Sequence, residues 1–451
     1  MEYGKPLASR TTSIDGLIIF DLSVHGDNRG WFKENWQRSK MLEHGLPDFG
    51  PVQNNMSFNA QAGVTRGIHA EPWDKFVSVA VGSVFGAWVD LRAGSPTFGA
   101  TVTQEITPDI AVYVPRGIGN GFQALEDGTL YTYLVNDHWT PDAEYSFANL
   151  NMIDWPLEPT EISDKDKNHP ALIDATPVSP RKVLVVGAGG QLGTALRAQF
   201  PDAEFVTRND LDITGDLSQA RAWKQYSTII NAAAYTAVDQ AEQDRSQAWA
   251  INATAVAQLA TIARENNLTL VHVSSDYVFD GTADSYTEDA PFSPLGVYGQ
   301  SKAAGDIAAA TVPRHYIVRT SWVIGDGNNF VRTMKSLDER DIAPSVVDDQ
   351  IGRLSFTQDI AAGIAHLVEK GAEFGTYNLS NTGEPASWAD IARKVFEDPS
   401  QVTGVSTEEY FADKQAAPRP LNSVLDLSKI EATGFHAPTW QERLNDYLKE
   451  L

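Results

Sequence analysis

The stretch Val183-Leu-Val-Val-Gly-Ala-Gly-Gly-Gln-Leu-Gly193 decides the architecture of the C-terminal half. Its four consecutive apolar residues predict a strand buried on both faces. The glycines predict a tight turn into a helix over 191–200. The strict G-x-G-x-x-G spacing fails because position 192 is Leu, whereas Gly187, Gly190 and Gly193 fit G-x-x-G-x-x-G. Such a turn brings backbone N–H groups to a pyrophosphate at a helix N-terminus. Working outward, strands expected at 203–207, 228–230 and 269–273 alternate with helices, among them a long helical pattern through 249–265. This alternation means α/β: a Rossmann-like, doubly wound parallel sheet.

Chemistry follows in the same half. His272-Val-Ser-Ser-Asp-Tyr-Val-Phe-Asp-Gly281 precedes Tyr298-Gly-Gln-Ser-Lys302. Tyr298 and Lys302, four residues apart, share one helix face. A free phenol titrates near 10, and an adjacent ammonium is expected to favour its phenolate. Ser275 is expected to hydrogen-bond the same substrate oxygen. The set suits hydride exchange between a nicotinamide and a sugar ketone or alcohol. The second strand ends Val206-Thr-Arg208, without the acidic residue that would hold a ribose 2′-hydroxyl. Thr207 and Arg208 suit a 2′-phosphate, which favours NADPH and leaves NADH open.

The first half reads differently. Val77, Val79 and Val81, then Phe85, Ala87 and Val89, then Tyr131, Tyr133 and Val135 alternate between turn residues, predicting an all-β sandwich or small barrel. Arg66-Gly-Ile-His69 and Lys75 are its conspicuous polar groups. From Pro156 to Arg181 five prolines punctuate a charged stretch that reads as a seam. The expected domains are 1–158 and 182–451, joined by a linker over 159–181.

At 451 residues the chain exceeds one ordinary core. A net charge of −24 argues against nucleic acid and anionic membrane partners. The chain contains no cysteine, which excludes disulfides and thiolate metal sites. With no secretory or membrane-spanning pattern, a cytoplasmic location is expected.

The C-terminal half resembles dTDP-4-dehydrorhamnose reductases of the extended short-chain dehydrogenase/reductase superfamily. The likeness rests on the glycine turn, Asn231-Ala-Ala-Ala-Tyr-Thr-Ala-Val-Asp239, Ser274-Ser-Asp-Tyr-Val-Phe-Asp-Gly281, Tyr298-Gly-Gln-Ser-Lys302, Arg319-Thr-Ser-Trp322, Asp349-Gln-Ile-Gly352 and Arg419-Pro420. It implies a small substrate-binding subdomain beside the Rossmann-like sheet and catalysis by Ser275, Tyr298 and Lys302. Gly187, Gly190, Gln191, Leu192, Gly193, Arg208, Asp212, Ile213, Ala232, Ala233, Ala234 and Tyr235 are expected along the cofactor, together with Tyr298 and Lys302. Tyr277 and Trp322 are implied near the sugar. Some family members use Mg²⁺ at a dimer contact; no residue pattern here supports a metal.

The N-terminal half is similar to dTDP-4-dehydrorhamnose 3,5-epimerases, cupin-like jelly-roll barrels. The resemblance implies His69 as base, Asp166 as its orienting carboxylate and Lys75 as holder of the enolate oxygen. Arg29, Gln53 and Arg66 would hold the nucleotide diphosphate, and Tyr133 is the matching tyrosine; Glu34 and Asn55 are further polar groups expected at the substrate, as is Asn120, which stands where the family has a His. Trp139 occupies the place of the family's proton-delivering tyrosine, and its indole N–H is no acid near neutral pH. The expectation is a bifunctional enzyme, a homodimer acting on dTDP-sugars. The alternatives are epimerisation at C3 alone or a non-catalytic β assembly domain.

Overall fold

The computed structural model describes residues 1–141 and 143–451. It divides into two compact units, Met1–Pro180 and Arg181–Leu451. No helix among the described residues is long and apolar enough to cross a membrane.

The first unit is all-β, as its period-two patterning predicts. Its strands are β1 (Ala8–Thr11), β2 (Ile18–Asp21), β3 (Val24–Asp27), β4 (Gly30–Lys33), β5 (Gln53–Asn59), β6 (Thr65–Ala70), β7 (Lys75–Val81), β8 (Val84–Asp90), β9 (Thr101–Ile106), β10 (Ile110–Val114), β11 (Ile118–Ala124), β12 (Thr129–Val135) and β13 (Ser146–Phe147). Two antiparallel sheets, ordered β1-β2-β10-β7-β12-β5 and β13-β6-β11-β8-β9, form a cupin-like barrel. Val77, Val79, Trp88, Val112, Phe122 and Tyr131 pack together as its core. The five-stranded sheet is apolar on its other face too. There Ile68, Ala87, Val89 and Leu91 are covered by Leu150, Ile153, Ile162, Leu172 and Val178. The expected linker over 159–181 is therefore displaced: 159–180 belongs to this unit, bridged to it at Val64–Glu161 and Arg92–Val178. The physical reason is burial, because the apolar side chains among the prolines cover a sheet face that water would otherwise wet.

The second unit carries a six-stranded parallel sheet. Its strands β14 (Lys182–Val186), β15 (Glu204–Val206), β16 (Tyr226–Asn231), β17 (Thr269–Ser275) and β18 (His315–Thr320) are followed by Gly375–Asn378. In space the order is β15-β14-β16-β17-β18 and then that last strand. The direction of winding reverses between β14 and β16, so ligands are expected at the carboxyl ends of these strands. The helical pattern over 249–265 is interrupted by a π-turn at Ala250–Thr254. A smaller cluster around Ile324, Phe356, Ile391 and Trp440 forms the adjoining subdomain.

Candidate functional sites

In the first unit, β6 carries Arg66 and His69, β7 carries Lys75, and β12 carries Tyr133. The short helix Asp164–Lys167 is capped by Ser163, whose Oγ accepts from the Asp166 N–H at 3.1 Å. This fixes Asp166 against β6. One carboxylate oxygen lies 2.9 Å from His69 Nε2, and the other accepts from the Gly67 N–H at 3.0 Å. Burial alone would raise the Asp166 carboxyl, but hydrogen bonds from His69, Gly67 and Ser163 outweigh it and bring it to about 2. An ionised partner at Nε2 leaves the lone pair on Nδ1, where a proton can be accepted. His169 stands beside the pair, with Nδ1 3.1 Å from the Gly67 carbonyl and its ring 5.3 Å from that of His69. The donor atoms of His69, Asp166 and His169 lie within 4.8 Å of one another. A metal could be held there only by displacing the His69–Asp166 hydrogen bond.

Lys75 is buried and pairs with Glu71 at 2.9 Å. The second oxygen of Glu71 accepts from the Trp73 indole at 2.5 Å. The Lys75 ammonium lies 5.8 Å from the ring centre of Tyr133. Burial, then the charge on Glu71, pushes the Tyr133 phenol up to about 12. Tyr145, also raised by burial and by Glu71, packs its ring edge-on to Trp73 at 5.7 Å. Asn120 pairs with His69 across the β11–β6 ladder and accepts from the Tyr131 hydroxyl at 3.3 Å. Arg66 donates to Asn59 at 3.2 Å. Gln53 donates to Asn55 at 2.8 Å and accepts from the Trp139 N–H at 3.2 Å.

Two expected substrate contacts lie elsewhere. Arg29 sits on the β3–β4 hairpin with its side chain 89 % exposed and paired with Asp27, and Glu34 pairs with exposed Lys40. The structure does not bring either to His69. Glu71, His169 and Tyr145 were missed in the sequence. Glu71 had a signal: it stands four residues before Lys75.

In the second unit the glycine turn fits a dinucleotide. Gly187 has φ +86°, and a Cβ there would come within 2.6 Å of the Ala233 nitrogen. A Cβ on Gly193 would come within 2.3 Å of the Gly187 carbonyl oxygen. The helix Gln191–Gln199 has no side-chain cap at Gly190, which leaves its first N–H groups for an anion. Around Gly189 there is open space. Leu192 packs into the core, Gln191 donates to the Asn328 carbonyl, and Ala232 and Ala233 follow the end of β16. Tyr235 is held through its backbone by Asn252, which the π-turn directs at it. Arg208 lies 4.0 Å from Asp212 with its side chain 70 % exposed, while Ile213 is buried.

Ser275 ends β17. It donates to Asp276 at 2.8 Å, accepts from the Tyr277 N–H at 3.2 Å, and hydrogen-bonds Tyr298. Tyr277 and Tyr298 meet edge to face at 5.5 Å. The expected lowering of the Tyr298 phenol by Lys302 is not what the structure shows. Burial pushes Tyr298 up to about 12, and its bond with Ser275 offsets this only in part. Lys302 is itself buried, brought down to about 8 by desolvation, and donates to the Val273 carbonyl at 2.6 Å. Tyr298 is thus a phenol at neutral pH, ready to give its proton. Below it, Asp306 pairs with Arg319 at 3.0 Å, and His272 lies 3.7 Å from Asp306. Trp322 stacks on Trp388 at 3.8 Å just past the end of β18.

Residues 181–451 match the family described as RmlD substrate binding domain, and residues 11–174 match dTDP-4-dehydrorhamnose 3,5-epimerase. The chain belongs to the RmlD family over its larger part. Its first half is 49 % identical, over 40 % of this chain and 96 % of the relative, to the RmlC homolog of Streptococcus pyogenes serotype M6. Its second half is 39 % identical, over 59 % of this chain and 97 % of the relative, to dTDP-4-dehydrorhamnose reductase of Aggregatibacter actinomycetemcomitans. The crystal structure of the Bacillus anthracis reductase in complex with NADP is 35 % identical. It covers 60 % of this chain and all of that one, with a TM-score of 0.55. An epimerase unit and a reductase unit are thus fused in one polypeptide.

Proposed function

We propose that the chain carries out two consecutive steps of dTDP-L-rhamnose synthesis. The first unit epimerises dTDP-4-dehydro-6-deoxy-D-glucose at C3 and C5, and the second reduces the C4 ketone of the product. The observation that carries this reading is the coexistence of an ionised Asp166 behind His69 in one unit and of Ser275 beside Tyr298 in the other. Protons at C3 and C5 are acidic because C4 carries the carbonyl. His69 removes them through Nδ1, Asp166 stabilises the imidazolium that forms, and Lys75 holds the enolate oxygen. Arg66, Gln53, Asn55 and Asn120 line the sugar nucleotide, and Tyr133 returns a proton.

In the reductase unit the cofactor is NADPH, favoured by exposed Arg208 and by the NADP complex of the Bacillus anthracis relative. When bound, NADPH supplies the hydride for C4. Tyr298 gives its proton to the ketone oxygen, Ser275 orients that oxygen, and Lys302 carries the positive charge beside them. Gly187, Gly190 and Gly193 let the backbone close on the pyrophosphate. No residue set in this unit calls for Mg²⁺. A homodimer is favoured by the edge strand β5, on which Met56 and Phe58 are 66 % and 65 % exposed.

Trp139 supports a second reading, epimerisation at C3 alone. Proton NMR in D₂O separates the two. Deuterium entering at both C3 and C5, then NADPH-dependent formation of dTDP-L-rhamnose, is the expected result. Exchange at C3 alone makes the chain a mono-epimerase, and no exchange makes the first unit an assembly domain.

A further inference from the structure

Asp276 has no part in the reading above, yet it is 3 % exposed and sits directly against Ser275. One of its oxygens accepts the Ser275 hydrogen at 2.8 Å. The other, Oδ2, is buried and has no hydrogen-bond partner. A buried carboxylate with an empty oxygen is poorly stabilised as an anion. Burial raises its carboxyl to about 6, against the lowering effect of Ser423 and Ser275. The groups facing it are Ser423 from the C-terminal segment, Tyr277 beside it, and Tyr298 on the helix Val297–Ala309. That helix also carries Lys302 and Asp306, and the Arg419–Asp239 pair lies behind Tyr277.

The hydroxyl of Ser275 has one hydrogen. While Asp276 is ionised that hydrogen is committed to it, and Ser275 can only accept from its other neighbours. A ketone oxygen arriving between Ser275 and Tyr298 then finds one donor, and Ser275 competes for it. Once Asp276 is protonated, the carboxylic acid donates to Ser275 Oγ, and the serine hydrogen is released toward the ketone. We propose that Asp276 is the positioning residue of the reductase centre, its proton freeing the Ser275 hydrogen for the reacting oxygen. The balance is simple: the proton that ends on the product oxygen leaves Tyr298, which is refilled from solvent. Asp276 keeps its own proton throughout the reduction. Alcohol oxidation passes the same transition state in reverse, with Asp276 protonated and Tyr298 as phenolate. That form has the same number of protons as the Asp276 carboxylate beside the Tyr298 phenol, so oxidation rises and reduction falls as one proton is lost.

This rests on Ser275 and Tyr298 being the reductase centre. The test uses the full chain, with dTDP-4-dehydro-6-deoxy-D-glucose, NADPH and excess separate 3,5-epimerase for reduction, and dTDP-L-rhamnose with NADP⁺ for oxidation. Between pH 5 and 9, reduction kcat/KM is expected to fall by about 100-fold as Asp276 ionises, the scale of losing one donor to the reacting oxygen. Oxidation is expected to rise over the same step. In Asp276→Asn the amide donates permanently, so the step disappears and only the titration of Lys302 remains at higher pH. Ser423→Ala removes a neighbouring hydroxyl that favours the carboxylate, and moves the step to higher pH. Infrared detection of the protonated carboxyl stretch, titrated in protein free of cofactor, gives a readout independent of turnover; the band is lost in Asp276→Asn. An unchanged step in Asp276→Asn, a wild-type profile without a step, or no shift in Ser423→Ala overturns the proposal. Full reduction by Tyr298→Phe overturns instead the assignment of the centre itself.

Discussion

Asp166 and Asp276 are buried carboxyls of the same kind, each bonded to the side chain beside it, at 2.9 and 2.8 Å. They end at opposite extremes. Asp166 receives Gly67 N–H, Ser163 and His69 and is held near 2, whereas Asp276 keeps an oxygen without a partner and rises to about 6. Burial opposes ionisation in both; at Asp166 the hydrogen bonds and the charge of His69 outweigh it, and at Asp276, which has no charged partner, the hydrogen bonds do not. A carboxylate whose partners outweigh burial is a fixed charge, fit to orient a base. One whose partners do not is a proton store, fit to switch a neighbour.

The largest effects should fall on the working side chains and stay within one unit. His69→Asn is expected to lower deuterium exchange at C3 by about 10³-fold while leaving NADPH oxidation with pre-epimerised ketone unchanged. Asp166→Asn should cost about 10²- to 10³-fold in exchange, because the amide loses the charge that stabilises imidazolium. Loss of both activities in either variant would mean that the units do not function independently.

The two carboxyls also predict opposite stability windows. Asp166 has its folded value below the ordinary 3.8, so its contribution is present above 3.8 and lost as pH falls toward about 2. Asp276 lies above 3.8, so its contribution is full below 3.8 and lost as pH rises toward about 6. At pH 7, Asp276→Asn should therefore raise the stability of the second unit by roughly 2 kcal/mol. Asp166→Asn should lower that of the first by a similar amount. Calorimetry at pH 7 reads both, and equal signs would break the comparison.

The buried lysines sharpen it further. Lys75 has a carboxylate at 2.9 Å, and Lys302 has a carbonyl at 2.6 Å. Glu71→Gln strands the Lys75 ammonium and should destabilise the first unit by about 3 kcal/mol. Lys302→Met removes a desolvated cation and should leave the melting temperature of the second unit within a few degrees, while slowing reduction about 100-fold. A fall in melting temperature as large as that of Glu71→Gln would show that Lys302 is structural.

Most of the fold was legible because periodicity reports burial directly. Val183 to Val186 reads as a two-sided strand and is one, and the alternation of Val77 and Val79 marks the barrel interior. The seam was misread because prolines and charges dominate its composition, whereas Ile162, Leu172 and Val178 are too widely spaced to show a period. Yet these three side chains close the five-stranded sheet. The site was legible where a motif is local, as at Ser275, Tyr298 and Lys302. It was illegible where function depends on the balance of burial against bonds and charge: no spacing shows that the partners win at Asp166 and lose at Asp276. Arg29 and Glu34 stood out as polar groups in the sequence, and within this chain they face solvent on and just after a hairpin.

The smallest effect concerns cofactor choice, where the contrast is between packing and contact. Gly187 and Gly193 are required by backbone neighbours at 2.6 and 2.3 Å, so alanine at either perturbs the fold whatever binds. Arg208 has no such role, being exposed and only 4.0 Å from Asp212. Arg208→Ala should leave the melting temperature unchanged and reduce the preference for NADPH over NADH by about 10-fold, the loss of one charge-assisted contact to a 2′-phosphate. Because Arg208 is solvated, the effect should shrink as salt is raised from 50 to 500 mM, since screening weakens an exposed pair more than a buried one. A preference unmoved by the substitution would place the discrimination on Thr207 and the backbone after β15.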